Sequence, residues 1–180
     1  MMQYVGTMKC IIKKRIMIYL NGEEQELKHK FIANGAKAPD FTITTSEMKK
    51  LHLSDFKGKC IVFNIFPSID TGVCATSVRH FNKMAAELKD CVVVCVSKDL
   101  PFALSRFCGA EGIKNVITAS DFYPGDFGEK YGVVISKGVL SGLLTRAIVV
   151  VKDEKIYYTQ IVEDINSEPD YMEVIQVLSW

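Results

Sequence analysis

The sequence lacks several features that would assign it to common functional classes. Its 180 residues carry 22 basic and 21 acidic side chains, so it has no excess positive charge for binding nucleic acid. No apolar run approaches the roughly 20 residues that a membrane-spanning helix needs. A secretory signal is also lacking, because Lys13, Lys14 and Arg15 interrupt the apolar N-terminal stretch and no small-residue cleavage site follows. We therefore expect a cytoplasmic protein without nucleic-acid or membrane partners.

A Cys-x-x-Cys motif is lacking as well. None of the six cysteines stands in a Cys-x-x-Cys motif, which disfavours a dithiol oxidoreductase. A chain of this length buries a core that needs no disulfide framework, and a cytosol-like compartment keeps thiols reduced. A functional cysteine would therefore be a reactive thiol or a metal ligand. The six lie at positions 10, 60, 74, 91, 95 and 108.

Four of these cysteines are expected to have no catalytic role. Cys91 and Cys95 fall on one face of a predicted apolar strand, which indicates core packing. A zinc-binding module is the alternative, but the second close-spaced ligand pair of a structural zinc site is missing. Cys60 begins another apolar strand and is expected to be inert. Cys10 is expected to be an exposed, oxidisable thiol without a role.

The order of predicted elements indicates an α/β fold with a mixed sheet. Asn21-Gly22 follows an apolar run and predicts the turn of a β-hairpin within residues 16–35, since both turn positions favour positive φ. We expect one domain over residues 16–180, preceded by an extension, residues 1–15, for which disorder is one interpretation. Strands are predicted at 41–43, 60–66, 91–96, 116–118, 146–151 and 156–162. Helices are predicted at 73–88, from Asp99-Leu100-Pro101 to Gly109, within 123–131, and at 168–178 with Pro169 in its first turn.

Cys74 lies at an unusual place in this pattern. One loop separates it from the predicted strand at 60–66, and an amphipathic helix begins beside it. Ligand sites in α/β sheets gather at the carboxyl ends of the strands, and the free N–H groups and positive dipole end of a helix N-terminus favour a thiolate. The sequence therefore predicts a reactive thiolate at Cys74. The amides of residues 71–74, the Thr71 hydroxyl and a nearby arginine are candidates for stabilising charge on the departing atom.

Four separated motifs resemble the thiol peroxidase subfamily of the peroxiredoxins. The first is Pro67-x-x-x-Thr71-x-x-Cys74, within the string NIFPSIDTGVC at residues 64–74. The others are DLPF at 99–102, SRFCGAEG at 105–112 and EPDY at 168–171. The resemblance covers about residues 17–178.

This resemblance implies a thioredoxin-like fold, with a mixed central β-sheet flanked by helices and an N-terminal β-hairpin. It implies that Cys74 is the peroxidatic cysteine, which attacks the peroxide, and that Cys108 is the resolving cysteine of the same chain. It further implies that Pro67 shields the thiolate from bulk solvent. Thr71 and Arg146 correspond to the residues that hold the peroxide oxygens.

The activity implied by the resemblance is that of an atypical two-cysteine peroxiredoxin in antioxidant defence. Cys74 would become a sulfenic acid, and Cys108 would then form a Cys74–Cys108 disulfide that thioredoxin reduces. Hydrogen peroxide and organic hydroperoxides are the expected substrates, and a homodimer is the expected assembly. No metal or organic cofactor is required, because sulfur itself carries the electrons.

The predicted position of Cys108 supplies an independent expectation. A cysteine at a helix C-terminus meets the negative end of the dipole, which disfavours a thiolate. A disulfide needs the two Cα atoms within about 7 Å. If the reduced fold holds Cys74 and Cys108 further apart, we expect one or both helix ends to unwind in each cycle.

Alternatives remain open at this point. One is a thioredoxin-like redox sensor or client-binding protein with incidental peroxidase activity. A Cys–His protease dyad is disfavoured, because His80 is six residues beyond Cys74 and points off its face of the helix. Ser77 is one turn after Cys74 and is a candidate hydrogen-bond partner near it or a simple helix residue. Arg79 and Arg106 are candidates for surface or interface contacts, and Arg106 is a candidate neighbour of the site.

Overall fold

Residues 16–179 are described by a computed structural model; the predicted extension, residues 1–15, lies outside the described residues. The strands are β1 (Ile18–Leu20), β2 (Glu23–Gln25), β3 (Ile43–Thr45), β4 (Lys50–Leu51), β5 (Cys60–Ile65), β6 (Cys91–Ser97), β7 (Ile117–Ser120), β8 (Ala147–Lys152) and β9 (Lys155–Ile161). The helices are α1 (Gly72–Ala85), α2 (Pro101–Glu111), α3 (Asp126–Tyr131) and α4 (Tyr171–Leu178), and Leu53–Phe56 forms a short 3₁₀ helix. Every helix in residues 16–179 is too short or too polar to cross a bilayer.

Seven of these strands form one mixed sheet in the order β4-β3-β7-β6-β5-β8-β9. β5, β6 and β7 run parallel, and β8 pairs antiparallel with β5 on the other side. β5 is buried at every position, which explains its continuous apolar sequence. The predicted α/β class with a mixed sheet is confirmed.

Two hydrophobic clusters cover the faces of the sheet. On one face, α1, α2 and α4 contribute Val78, Leu104 and Val174 to a cluster that also contains Cys74. On the other face, α3 packs with Phe41 and the segment before β3. The parallel strands thus end between two filled layers, and Cys74 belongs to the layer that contains α1.

The N-terminal hairpin is confirmed, with positive φ at Asn21 (53°) and Gly22 (83°) in the turn between β1 and β2. Its two strands form a sheet of their own. β1 reaches the rest of the molecule through Tyr19, whose amide donates to the carbonyl of Glu163. The hairpin is therefore joined to the segment that follows β9.

Several predicted boundaries were wrong. α2 does not end at Gly109: it continues to Glu111, and Gly112 ends it with a left-handed φ of 64°. Pro169 lies before α4 rather than in its first turn, and Asp170 caps that helix by accepting from the Glu173 amide. The strand predicted at 41–43 lies at β3, two residues later. β4 and the 3₁₀ helix were not predicted, because both are too short to show a periodic pattern.

Candidate active site

Cys74 is the third residue of α1 and is completely buried. The chain reaches it from the carboxyl end of β5 through the loop 66–71, as the sequence predicted. The first-turn amides of a helix have no carbonyl partner within it, so they and the helix dipole present partial positive charge near the sulfur. Phe66, Ile69 and Val78 belong to the same apolar cluster and exclude water from this position.

Arg146 is the direct partner of the Cys74 sulfur. Its Nη2 lies 3.3 Å from Sγ, and its Nε donates to the carbonyl oxygen of Ile165 over 2.9 Å. The side chain is 1% exposed, and its Nη1 has no hydrogen-bond partner among the described residues. A guanidinium keeps its charge when buried, and a buried cation without an anion is costly. Cys74 is therefore placed to supply that anion as a thiolate.

The loop between β5 and α1 is fastened by one carboxylate. Asp99 accepts from the Ser68 hydroxyl (2.8 Å), the Ile69 amide (2.7 Å) and the Ser97 hydroxyl (2.7 Å). Hydrogen bonds to a charged acceptor are about twice as strong as neutral ones. Sequence reasoning assigned Asp99 to a helix cap, but α2 has Leu100 at that position with no side-chain cap. Asp99 instead fixes the loop that leads to Cys74.

Pro67 and Thr71 belong to that loop but differ in exposure. Pro67 is buried at the end of β5, whereas Thr71 is exposed and immediately precedes α1. The Thr71 hydroxyl donates to the carbonyl oxygen of Ser68 over 3.2 Å and makes no hydrogen bond to Cys74 Sγ within residues 16–179. Its oxygen lone pairs remain able to accept. Arg146 thus contacts the sulfur directly, whereas Thr71 is the exposed last residue of the loop before α1.

Cys108 lies in the last turn of α2 and is half-buried. Its sulfur is 3.2 Å from the Thr118 hydroxyl of β7, and its carbonyl oxygen accepts from the amides of Gly112 and Ile113. Cys74 and Cys108 are both free thiols. The predicted placement near a helix C-terminus is confirmed, although the helix extends three residues beyond Cys108 rather than one.

The two sulfurs have separate partners in this structure. Cys108 contacts β7, whereas Cys74 contacts Arg146, which precedes β8. In the sheet order β7-β6-β5-β8 these two strands are three positions apart. Both cysteines are free, so no disulfide joins them in this structure.

Two ion pairs connect α2 to α1 and to the loop that precedes α1. Arg79 forms a bidentate ion pair with Glu111 at 2.8 and 2.9 Å, and Arg106 bonds to Asp70 at 2.9 Å. Both pairs are largely exposed to solvent, so each stabilises this arrangement only weakly. Arg106 thus neighbours the loop before Cys74, as the sequence suggested for it.

The remaining candidates fall outside the reacting positions. Ser77 donates to the Cys74 carbonyl oxygen over 2.9 Å, which confirms it as a neighbour. His80 stacks on Tyr171 at 3.7 Å between ring centroids. Cys95 is fully buried, and burial raises the pKa of its thiol to about 12, so its interpretation as core is confirmed. Within residues 16–179, no three His, Cys, Asp or Glu side chains gather as a metal site would require.

A buried thiol held against a guanidinium at the start of a helix belongs to the enzymes that use a thiolate for nucleophilic or redox chemistry. Sequence comparison narrows this class. The Redoxin family profile matches residues 33–175, and the chain belongs to that family. Its relatives include the thiol peroxidase of Corynebacterium glutamicum, 45% identical over 162 residues that span 89% of this chain and 98% of the relative. The thiol peroxidase of Mycobacterium tuberculosis is 50% identical over 81% of this chain and 88% of its own length.

Solved structures agree with this assignment. A peroxiredoxin-like protein from Aquifex aeolicus superposes with a TM-score of 0.87 at 37% identity, covering 91% of this chain and 96% of its own. A thiol peroxidase from Chromobacterium violaceum reaches a TM-score of 0.83 at 19% identity, covering 91% and 95%, and supports the fold alone. The fold is thus the thioredoxin-like fold of peroxiredoxins. The chain is a thiol-dependent peroxidase of the peroxiredoxin type.

Proposed function

We propose that Cys74 is the peroxidatic cysteine of this enzyme. The observation that carries the assignment is the 3.3 Å contact between Arg146 Nη2 and the Cys74 sulfur inside a water-excluding apolar cluster. The thiolate attacks one peroxide oxygen, the O–O bond breaks, and a sulfenic acid forms on Cys74. The departing oxygen takes a proton and leaves as water or an alcohol.

Arg146 and Thr71 are the proposed ligands of the peroxide. The second guanidinium nitrogen of Arg146, Nη1, is buried without a hydrogen-bond partner in residues 16–179 and can donate to a peroxide oxygen next to the sulfur. The hydroxyl of Thr71, the last residue of the loop, accepts a hydrogen bond from the peroxide O–H. Fixed donors aimed at the oxygen that gains charge lower the barrier. Pro67, a buried residue of the same loop, keeps bulk water from the thiolate.

Cys108 is the proposed resolving cysteine. Its thiol attacks the sulfenic sulfur of Cys74, water leaves, and an intramolecular disulfide forms. Both cysteines lie within helices and each sulfur has its own partner, so the last turn of α2, the first turn of α1, or both unwind before the sulfurs meet. The weak exposed ion pairs Arg79–Glu111 and Asp70–Arg106 make such an opening inexpensive.

Thioredoxin is the proposed reductant, because a thiol partner must return the disulfide to two thiols in each cycle. Hydrogen peroxide and organic hydroperoxides are the proposed substrates, since Phe66 and Ile69 give the Cys74 environment an apolar wall suited to an alkyl group. Comparing kcat/KM for hydrogen peroxide and an alkyl hydroperoxide tests this, and a hundredfold preference for hydrogen peroxide would contradict it. The proposed location is the cytoplasm, which cell fractionation would check.

A homodimer is proposed from the exposed apolar side chains at the site's edge of the sheet. Phe102 follows β6 and Phe122 and Tyr123 follow β7, with exposures of 69%, 63% and 71%. These rings lie after the carboxyl ends of the parallel strands, on the edge that also presents Cys74. Exposed aromatic side chains are enriched in protein interfaces. Light scattering tests this: a monomer at micromolar concentration would contradict it.

A peroxide-consumption assay with thioredoxin and its reductase tests the two cysteine assignments. We expect Cys74→Ser to lose turnover completely. We expect Cys108→Ser to consume one equivalent of peroxide per chain and then stop, because no disulfide can form for thioredoxin to reduce. Cys95→Ser is the matched control and should turn over like the wild type. Normal turnover by Cys74→Ser would overturn the assignment. The sensor or client-binding alternative is not favoured, since the relatives are named as thiol peroxidases.

A further inference from the structure

A second pair of cysteines lies at the far end of the central strands. Cys60 is the first residue of β5 and Cys91 is the first residue of β6. The two are register partners in the parallel ladder, so their side chains emerge side by side on the same face of the sheet. Both face the cluster that α1 covers, where Cys60 is 7% exposed and Cys91 is half-buried. The strand register, which the sequence alone did not reveal, thus pairs two thiols that had been interpreted as inert core residues.

The spacing of this pair suits a disulfide. Neighbouring strands lie about 4.8 Å apart, inside the range of about 4.4–6.8 Å for the Cα atoms of a disulfide. The two thiols also interact directly. Burial raises the pKa of the Cys91 thiol, and its hydrogen bond with Cys60 offsets part of that rise. Burial and the same contact raise the pKa of the Cys60 thiol well above its usual range.

We propose that Cys60 and Cys91 form a second redox-active site, a dithiol that a hydroperoxide converts to a Cys60–Cys91 disulfide. This site is separate from Cys74, because β5 has six residues and spans about 17 Å between the two ends. Disulfide exchange with the active site is therefore excluded in the folded protein. The proposal goes beyond the peroxidase cycle and does not depend on it.

The more exposed thiol begins the reaction. Cys91 loses its proton and attacks a peroxide oxygen, the O–O bond breaks, and an alcohol or water leaves a sulfenic acid on Cys91. The Cys60 sulfur then attacks the sulfenic sulfur, so an S–S bond forms, the S–O bond breaks and water departs. In total, two thiols lose two electrons and two protons, and one hydroperoxide accepts them. Lys152 contributes positive charge near both sulfurs, but the Asp90 carboxylate opposes it at Cys91.

The site should react slowly and be readily reversed. Burial disfavours both thiolates, and only the thiolate attacks. A disulfide needs Cβ atoms about 3.8 Å apart, closer than the usual strand spacing of about 4.8 Å, so the bridge pulls the starts of β5 and β6 together. Strained disulfides have higher reduction potentials and are the labile ones. We therefore expect this pair to be oxidised only under excess peroxide, after Cys74 and Cys108 have cycled.

Peptide mapping tests the proposal in two settings. The full chain is treated with a tenfold excess of an alkyl hydroperoxide, quenched with acid, alkylated and digested without reduction. We expect a Cys60–Cys91 crosslinked peptide beside the Cys74–Cys108 one. The second setting is a variant with Cys10, Cys74 and Cys108 replaced by serine, which leaves three cysteines. Peroxide should remove two of its three thiols per chain, and dithiothreitol should restore both.

Matched substitutions in the three-cysteine variant separate the outcomes. Adding Cys91→Ser should abolish the thiol loss, whereas adding Cys95→Ser should leave the loss of two thiols unchanged. Three free thiols after peroxide, or a sulfinic acid on Cys91 without a crosslink, would overturn the proposal. Since this variant has no Cys74 or Cys108, its result is independent of the peroxidase assignments. If the variant does not fold, the crosslink in the full chain decides, and its absence overturns the proposal.

Discussion

Cys74 and Cys108 lie on helices that cover the same face of the sheet, yet their surroundings are opposite. Cys74 is at the start of α1, fully buried, and bonded to a guanidinium. Cys108 is in the last turn of α2, half-buried, and bonded to a neutral hydroxyl near carbonyl oxygens that lack helical partners. A helix N-terminus and a cation favour a thiolate, while a helix C-terminus disfavours it. The difference fits the proposed roles, in which Cys74 attacks the peroxide and Cys108 resolves the sulfenic acid.

The guanidinium is the strongest element of this contrast, so its removal should have the largest effect. We expect Arg146→Gln to slow the reaction of Cys74 with peroxide by about 100-fold, the usual loss when one donor to developing charge is removed. Stopped-flow mixing under single-turnover conditions measures the rate. Arg79→Gln removes an exposed guanidinium from the same face of the fold and serves as the control. A folded Arg146→Gln protein within threefold of the wild-type rate would remove Arg146 from the mechanism.

Formation of the Cys74–Cys108 disulfide should remove the difference between the two surroundings, because the helix ends that carry the cysteines unwind. We expect the amides of residues 105–111 and 72–76 to exchange hydrogen at least about tenfold faster in the oxidised protein than in the reduced one, since local opening exposes them. The central residues of β5 and β6 are the internal control and should exchange equally slowly in both states. Equal protection of the helix ends in the two redox states would contradict the proposed rearrangement.

Asp99 is bonded to the loop before Cys74 and to Ser97, so its removal tests how far that loop positions Cys74. We expect Asp99→Asn to lower kcat/KM for peroxide about tenfold, because the charged acceptor of three hydrogen bonds is lost and the loop loosens, an effect of about 1.4 kcal/mol. The matched control is Asp55→Asn, whose carboxylate bonds to the His52 amide elsewhere on the surface. Steady-state kinetics measure both variants. Equal losses in the two would show that Asp99 has no specific positioning role.

The smallest expected effect concerns the ion pair that connects α2 to α1. Glu111→Gln breaks the charged pair with Arg79, and an exposed pair is worth at most about 1 kcal/mol. We expect disulfide formation after a single turnover to become about threefold faster, because Cys108 is released more readily. Quenched flow with alkylation measures the rate, and Glu87→Gln, an exposed glutamate just after α1, is the control. A slower or unchanged rate would show that the Arg79–Glu111 pair does not limit the unwinding of α2.

The sequence predicted the parts of this structure that local patterns determine. The apolar runs of β5 and β6, the stripe of α1 and the Asn21-Gly22 turn all appear where expected, because burial and turn geometry leave a direct trace in the sequence. The end of α2 was misplaced because the first glycine after Cys108, Gly109, was interpreted as the end of the helix, whereas Gly112 ends it. Only Gly112 adopts the left-handed conformation.

Long-range features left no such trace. Asp99 acts through Ser68 and Ile69, about thirty positions earlier, so its sequence context suggested only a helix cap. Arg146 entered the predicted site through the family resemblance, and its contact with Cys74 spans 72 positions. The pairing of Cys60 with Cys91 depends on the register of two strands. Such contacts are set by the packed fold rather than by any local pattern.

The central claim is that the Cys74 sulfur alone takes the first oxygen from peroxide. Mixing Cys108→Ser protein with one equivalent of hydroperoxide, trapping sulfenic acid with a dimedone probe and mapping the labelled peptide by mass spectrometry tests it most directly. The account predicts stoichiometric label on Cys74 and none on the remaining cysteines. Label on Cys60, Cys91 or Cys95 with Cys74 unmodified would contradict it.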